Sequence, residues 1–171
     1  MSKIQECRVI RPKDRASAVL ATVEVLFDNG IRLVNMHLLR PRGEQRGIRL
    51  KMPSVTTTQE KVIQAYMPVS QETRKAMFHA AEQTLAEAVE MGVNDHTKQF
   101  EPLAEGEEPR VPEFSNLRLH HFPVNDNPVR AIFSVTVDKE ILLNRMVIVR
   151  DPETQMFTCL LYTSPSPRDR G

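Results

Sequence analysis

Alternation of apolar and polar side chains predicts the first β-strands of this chain. Between residues 17 and 27 apolar side chains recur at every second position, which is typical of a strand that buries one face. Asp28-Asn29-Gly30 follows and favours the positive φ angles of a tight hairpin turn. Residues 31–40 are therefore predicted as the returning strand. Shorter strands are predicted at residues 5–11 and 47–52.

A different spacing predicts one helix. Ser70 is the predicted N-cap, and Glu72 lies where the positive end of the helix dipole favours an acid. Gly92 is predicted to end the helix, because glycine readily adopts the left-handed conformation of a C-cap. Residues 56–64 are polar and predicted to be irregular, and Pro68 disfavours helix before it. Small or apolar residues recur at three- and four-residue spacing at Met77, Ala80, Ala81, Thr84, Leu85 and Ala88.

The predicted strand pair occurs twice in the chain. Residues 21–40 align without a gap with residues 131–150, and seven of the twenty positions are identical, where average composition gives about one by chance. Internal repetition is decisive for the fold, because each copy is expected to be one structural unit. The seven identical pairs are Ala21/Ala131, Val25/Val135, Asp28/Asp138, Ile31/Ile141, Leu33/Leu143, Met36/Met146 and Arg40/Arg150, and the same offset of 110 also matches Arg8 with Arg118 and Val19 with Val129.

We therefore predict an α+β fold built from two copies of one module. Residues 1–93 form the first module, an antiparallel four-stranded sheet followed by one C-terminal helix. Residues 94–113 combine acids with prolines and are predicted to be a solvated linker. Residues 114–158 form an incomplete second module without a helix and with about three strands, at 117–121, 129–138 and 141–150.

The C-terminal residues 159–171 are set apart from the fold and are predicted to be disordered. Cys159 to Asp169, CLLYTSPSPRD, resembles the in-frame translation of a sequencing adaptor. Scars of this kind are left out of fold reasoning. The alternative interpretation is an ordinary disordered tail rich in Ser and Pro. The second module is expected to stop near Thr158, before its fourth strand and its helix.

Charge is distributed unevenly, although the net charge is only +1. Residues 1–75 carry 14 Lys and Arg against 7 Asp and Glu, whereas residues 76–171 carry 9 against 15. A basic half beside an acidic half favours a polyanionic partner for the first.

Composition favours a cytoplasmic protein without a membrane segment. No apolar run reaches the roughly 18 residues that a membrane-spanning helix needs. The N-terminus, MSKIQECRVI, lacks the apolar core of a secretory signal. Cys159 falls in the adaptor-like tail, so Cys7 has no intrachain disulfide partner, which suits a reducing compartment.

The densest basic segment runs from Arg32 to Lys51 and is the predicted nucleic-acid-binding site. It contains a single acid, Glu44. Clustered guanidinium groups suit phosphate contacts, which give salt-sensitive binding that depends little on sequence. The alternative is a solvated surface that keeps the sheet edges from aggregating. The predicted contacts are Arg40, Arg42, Arg46, Arg49 and Lys51, of which Arg49 and Lys51 lie two apart on a strand and so share a face.

Two further cations, Arg74 and Lys75, lie in the first turn of the predicted helix and complete the predicted binding set. Cations at this end oppose the helix dipole, an unfavourable placement by roughly a few tenths of a kcal/mol. Arg74 either binds phosphate or holds a structural contact with the sheet or a partner subunit.

The sequence carries no signature of catalysis or of metal binding. His120 and His121 are adjacent on a predicted strand and face opposite sides, and no histidine has a second ligand at a recognisable spacing. The motifs GxxxxGK[ST] and GxSxG do not occur. Asp28 and Asp138 recur at equivalent places, but both end a strand, where Asp commonly builds a turn. We predict that the protein is not an enzyme and uses no cofactor or metal.

Three segments together resemble the SpoVG (stage V sporulation protein G, septation regulator) family of bacteria. They are the strand pair around Asp28-Asn29, the run Leu50-Lys51-Met52-Pro53-Ser54, and Pro68-Val69-Ser70-Gln71-Glu72-Thr73-Arg74 at the start of the helix. The resemblance covers about residues 5–90, and again residues 115–158 without the Met-Pro-Ser segment and the helix. It implies a small cytoplasmic regulator that dimerises through its sheets and binds nucleic acid, with a role in septation or sporulation.

One departure from the family concerns the residues after Met-Pro-Ser. Family members usually carry a basic pair there that is implicated in DNA contact, whereas this chain has Val55 and Thr56. The departure favours an alternative, a protein–protein interaction module of the same fold that does not bind nucleic acid. In either case the two copies are expected to pair their sheets, within one chain as a pseudo-dimer or between chains as a homodimer.

Overall fold

The computed structural model describes residues 2–44, 46–56, 59–121 and 128–161. It confirms the α+β class, since these residues form antiparallel sheets and one helix, α1 (Gln71–Met91). The elements group into two compact units. The strands are β1 (Ile4–Ile10), β2 (Val19–Phe27), β3 (Arg32–Leu39), β4 (Arg49–Lys51), β5 (Ser54–Thr56), β6 (Val62–Gln64), β7 (Tyr66–Pro68), β8 (Asp95–Gln99), β9 (Phe114–His121), β10 (Val129–Val137), β11 (Ile141–Arg150) and β12 (Phe157–Leu161).

The first unit comprises Met1–Met52 and Ser70–Pro112. Its sheet has five antiparallel strands in the order β4-β3-β2-β1-β8. The predicted alternation in β2 is confirmed, because every second side chain from Ala21 to Phe27 is buried. The hairpin turn is also confirmed: Gly30 has a φ of 81°, and the Asn29 side chain accepts a hydrogen bond from the Ile31 amide at 3.0 Å.

Helix α1 covers one face of this sheet, and both of its predicted ends are confirmed. Ser70 Oγ accepts a hydrogen bond from the Thr73 amide at 3.2 Å, and Gly92 closes the helix with a φ of 68°. The helix packs mainly over β1, and also over β8 and β2. Small side chains let the helix approach the sheet closely. The buried residues of the helix are Thr73, Met77, Ala80, Ala81, Thr84 and Ala88.

The second unit comprises Pro53–Val69 and Glu113–Gly171. Its main sheet has the antiparallel order β12-β11-β10-β9, and β7 also pairs with β11. β5 and β6 form a separate two-stranded hairpin. The part of this unit that the structure describes contains strands and no helix.

The 110-residue repeat of sequence is also a repeat of strand pairing. Between the second and third strand of each copy, the two register irregularities fall at equivalent positions. The sheets of the two units are therefore built on one pattern over three strands. Equivalent cross-strand pairs are Val9/Val23 and Leu119/Phe133, Val23/Met36 and Phe133/Met146, and Val25/Leu33 and Val135/Leu143.

Both strand-ending aspartates have the structural role that the sequence predicts. The Asp28 carboxylate accepts a hydrogen bond from the Lys3 amide at 3.2 Å, and the Asp138 carboxylate accepts one from the Glu113 amide at 2.8 Å. Lys3 and Glu113 are themselves 110 residues apart. The same contact therefore ties the end of the second strand to the residue before the first strand in both copies.

The predicted linker contains a strand, so the linker prediction is wrong for residues 95–99. β8 pairs along β1 in the first unit. Its sequence, DHTKQ, has no apolar alternation, but His96 and Lys98 contact Glu87 of α1 at 3.4 and 3.0 Å. Backbone pairing at a sheet edge and these polar contacts make the segment a strand, and neither is visible in the local sequence.

Residues 53–69 belong to the second unit, although the predicted module boundary lies at residue 93. The start of β11 pairs with β7, and the Asn144 amide donates a hydrogen bond to the Ala65 carbonyl at 2.8 Å. The prediction that residues 56–64 are irregular is wrong for the β5–β6 hairpin; residues 57 and 58 lie outside the described residues. The segment belongs to the second unit because β7 pairs with a strand that is distant in sequence, and no local pattern indicates that pairing.

The second unit has a fourth strand beside β11, where the sequence predicts about three. β12 includes Cys159 to Leu161, so the prediction of disorder is wrong for these residues. The pairing of β12 with β11 is shifted by one residue relative to the pairing of β4 with β3. Leu38 of β3 lies opposite Leu50, whereas its counterpart Ile148 lies opposite Cys159, one residue before the counterpart of Leu50. An open strand edge accepts extended chain through backbone hydrogen bonds alone. The prediction for residues 162–171 lies outside the described residues.

Candidate nucleic-acid interface

Strand β4 places Arg49 and Lys51 on the sheet face that points away from α1. Both are exposed, and they lie opposite Leu39 and His37 of β3. The shared face that their spacing predicts is therefore confirmed. Burial and the nearby Lys51 ammonium lower the pKa of His37, so His37 is uncharged at neutral pH and adds nothing to the positive charge.

Arg42 and Arg46 lie on the loop that joins β3 to β4, and both are exposed. Gly43 and Gly47, next to them, have φ values of 63° and 86°. Glycine adopts this left-handed region without strain, which lets the loop reverse direction within a few residues. The loop thus holds both arginines near the end of β3, beside Arg40.

Arg40 reaches back over the connection between β1 and β2. Its Nε donates a hydrogen bond to the Ser17 carbonyl at 3.0 Å, and its Nη2 donates one to the Arg15 carbonyl. Both acceptors are uncharged, so the positive charge of Arg40 is not neutralised. Arg40 therefore orders this connection in addition to carrying charge.

Arg11 and Arg15 share a groove with Arg40, although neither arginine is among the predicted nucleic-acid contacts. The groove has a volume of about 290 Å³ and is also lined by Leu85 and Val89 of α1. Both arginines donate to backbone carbonyls, and Arg15 also to a side-chain amide oxygen, so their acceptors are uncharged. The only sequence signal is the density of cations in RPKDR at residues 11–15.

The cations at this end of the first unit's sheet lie on both of its faces, and together we call them the basic edge. Among residues that the structure describes, none of its members pairs with a carboxylate. Several cations elsewhere in the unit are paired: Arg8 contacts Asp95 at 2.6 Å, and Arg32 contacts Glu6 at 2.8 Å. The basic edge consists of Arg11, Arg15, Arg40, Arg42, Arg46, Arg49 and Lys51.

Arg74 and Lys75 are exposed but lie away from the basic edge. They are in the first turn of α1, whereas Leu85, which lines the arginine groove, is in its second half. At 1.5 Å per residue, Arg74 and Leu85 are roughly 16 Å apart along the helix axis. The structure thus separates these two cations from the other predicted site residues.

The two positions that depart from the family pattern differ from each other in burial. Val55, in β5 of the second unit, is 1% exposed, whereas Thr56 is exposed. A lysine or arginine at a buried position carries a large desolvation cost unless it is paired. Packing therefore explains the apolar residue at position 55.

Side chains of the types that bind metals or act as nucleophiles also occur in the described residues, but their surroundings favour a structural role. The described residues contain no cluster of three or more His, Cys, Asp or Glu side chains that could hold a metal ion. Cys7 is buried beneath α1, and burial raises the pKa of its thiol to about 11, which disfavours the reactive thiolate.

No protein-family model, curated protein or solved structure matches this chain. In the part of the chain that the structure describes, no helix has the length and apolar character needed to cross a membrane.

Proposed function

We propose that this protein binds nucleic acid, DNA or RNA, through the basic edge of its first unit and acts as a SpoVG-like regulatory protein in septation or sporulation control. The observation that carries the proposal is the set of seven neighbouring cations without a carboxylate partner among the described residues. A cation that stabilises the fold normally pairs within it, as Arg8 and Arg32 do. Cations left exposed together favour an external anion.

Binding through this surface is expected to depend on phosphate groups. Guanidinium groups donate paired hydrogen bonds to phosphate oxygens, and each phosphate that is neutralised releases counterions. No aromatic residue belongs to the basic edge, so base stacking is not expected to contribute strongly. We therefore expect the affinity to depend weakly on nucleotide sequence and steeply on salt concentration.

We also propose a finer organisation of the fold into two modules. Two SpoVG-like modules would pair their sheets, either within one chain as a pseudo-dimer or between chains as a homodimer. Strand registers that repeat at an offset of 110 residues support the two-module interpretation. We also propose that the protein is located in the cytoplasm and that it is not an enzyme.

The second candidate function is a protein–protein interaction module without nucleic-acid binding. It is favoured by Val55 and Thr56, which stand where family members usually carry a basic pair.

The deciding experiment is a fluorescence anisotropy titration of the full chain. Labelled single-stranded RNA, single-stranded DNA and duplex DNA of mixed sequence are titrated at about 50 mM and about 200 mM salt. On duplex DNA, the slope of log affinity against log salt is expected to fall by about 0.9 for each phosphate contact that is removed. The test variant is R42Q/R46Q/R49Q, which is expected to lose affinity and up to three such contacts.

A matched control removes the same charge elsewhere. K3Q/R118Q/K139Q changes the net charge by the same amount outside the basic edge, and it is expected to retain most of the affinity. Equal losses in the two variants would assign binding to overall charge and overturn the choice of site. No salt-dependent binding at micromolar protein would favour the interaction module.

A further inference from the structure

The sheet of the second unit has an apolar face that corresponds to the face α1 covers in the first unit. Leu119 lies opposite Phe133 in the same register in which Val9 lies opposite Val23. Val9 is fully buried, whereas Leu119 is 57% exposed. The two positions thus have equivalent cross-strand partners but different surroundings, since β8 flanks β1 whereas β9 is an edge strand of the described sheet.

A second pair of equivalent positions gives the same result. Cys7 is fully buried, but its counterpart Leu117 is 64% exposed, and Phe114 nearby is 58% exposed. A groove of about 610 Å³ runs along this face. Its lining is almost entirely apolar and comes from this unit alone: Phe114, Leu117, Phe133, Val135, Leu143 and Met146, with Ser115, Asn116 and Cys159.

We propose that this face, with Leu117 and Leu119 on its edge strand β9, is a docking site for an amphipathic α-helix supplied by another protein. A sheet buries its apolar face against a second layer, and contiguous apolar surface left exposed marks an interaction site. The first unit shows which second layer fits this strand pattern, because the equivalent face carries a helix. The occupant is therefore a helix, not an extended strand or a membrane surface.

The side chains of the face indicate the composition of that helix. On α1, the residues that meet the sheet are mostly Ala and Thr, with Met77 as the one large side chain. In the second unit the counterparts of Cys7 and Val9 are both leucine, so the face projects further from the sheet. A close-packed interface then needs equally small or smaller residues on the helix. The partner helix is expected to present a stripe of Ala, Ser or Gly residues.

The chain itself supplies a probe with these properties, the segment from Ser70 to Gly92. A fluorescently labelled synthetic peptide of this segment is titrated into the full chain and followed by anisotropy. Saturable binding is expected, and L117D or L119D should weaken it about tenfold or more, because each would place a carboxylate at the centre of an apolar contact. R118D, between them and on the opposite face, is the matched control and should leave binding unchanged.

Variation of the peptide tests the orientation of the helix. A peptide with Ala81→Glu, which alters the small-residue face, is expected not to bind. A peptide with Glu82→Gln, which alters the solvent side of the helix, should bind like the parent. Because L117D and L119D change exposed positions, both variants are expected to fold, which circular dichroism checks.

Two results would overturn the proposal. The first is a peptide that fails to bind, or that binds equally well to L117D and L119D, since the helix would then not occupy this face. The second is a full-length protein that sediments as a dimer and becomes a monomer on L117D, since a second copy of the chain would then cover the face. Neither result depends on the proposed nucleic-acid binding.

Discussion

The two units share three strands of one design, but among the residues that the structure describes only the first unit has its sheet covered by a helix. In the first unit α1 buries the β1 face completely, with Cys7 and Val9 inaccessible to solvent. In the second unit the counterparts Leu117 and Leu119 are exposed. The difference shows that repeated residues fix strand pairing, whereas the layer above the first sheet comes from α1, which lies outside the repeated stretch of residues 21–40.

The opposite faces of the two sheets differ as well. The first unit carries a network in which Arg8 and Arg32 contact Glu24, Glu6 and Asp95. The counterparts of Glu6, Glu24 and Arg32 are Asn116, Ser134 and Leu142, so the second unit keeps only Arg118 of this pattern. This particular network of ion pairs is thus specific to the first copy.

The sharpest way to break the comparison is to place a carboxylate at equivalent positions of both units. Val9→Asp would bury an unpaired charge beneath α1 and is expected to lower the free energy of unfolding by about 4 kcal/mol or more. Leu119→Asp, 110 residues later, should change it by about 0.5 kcal/mol or less, as is usual at exposed positions. Urea unfolding followed by helix circular dichroism and by sheet-sensitive infrared absorption measures both variants. Equal losses would mean that the second face is covered too.

A smaller effect is expected from the helix cap, which only the first unit has. Ser70→Ala removes the side-chain acceptor of the Thr73 amide and should destabilise the first unit by about 1 kcal/mol. Gln71→Ala, the next residue and exposed, is the control and should be close to neutral. Native-state hydrogen exchange resolves the two units. Equal loss of protection in β10 and β11 would contradict independent stabilities of the two sheets.

The smallest expected effect is a dependence of stability on pH that belongs to the first unit. A hydrogen bond from Arg32 lowers the pKa of Glu6, and one from Arg8 lowers the pKa of Asp95. Because the folded-state pKa values are lowered, this stabilisation is complete above the ordinary carboxyl pKa of about 4 and is lost as pH falls through the lowered values. Arg32→Met should therefore destabilise at pH 7 by less than about 1 kcal/mol, and by less still at pH 3.

Arg118→Met provides the control for this measurement, since the second unit lacks the acids of the network. Its urea midpoint is expected to shift little at either pH. A loss on Arg32→Met that is the same at pH 7 and pH 3 would show that packing of the arginine stem, rather than its charge, is responsible.

Local signals in the sequence were sufficient for the elements they act on directly. Alternation in β2, the Asn29-Gly30 turn, and the caps Ser70 and Gly92 each work through a residue's own backbone or its next neighbours. For this reason the β2–β3 hairpin and the helix are found where they are predicted. The repeat predicted equivalent strands, and the register of β10 with β11 follows it, whereas that of β9 with β10 follows it from Arg118 to His120 and differs around Ser115.

The candidate site was predictable only in part. The cations of residues 40–51 are dense enough in sequence to be recognised, and all of those predicted are exposed. Arg11 and Arg15 join them through the pairing of β1, β2 and β3, which brings residues about 25 positions apart into one groove. Arg74 was included because of its place in the helix, but α1 carries it away from the groove.

By itself the sequence determined the strand periodicity, the turns, the helix with its caps, and the existence of a repeat, since these depend on interactions between near neighbours. Tertiary structure decided that the polar segment 95–99 is an edge strand and that residues 53–69 belong to the second unit. It also decided which cations remain unpaired. These properties depend on which distant strand offers an open edge and which acid lies across it, and a one-dimensional pattern does not contain that information.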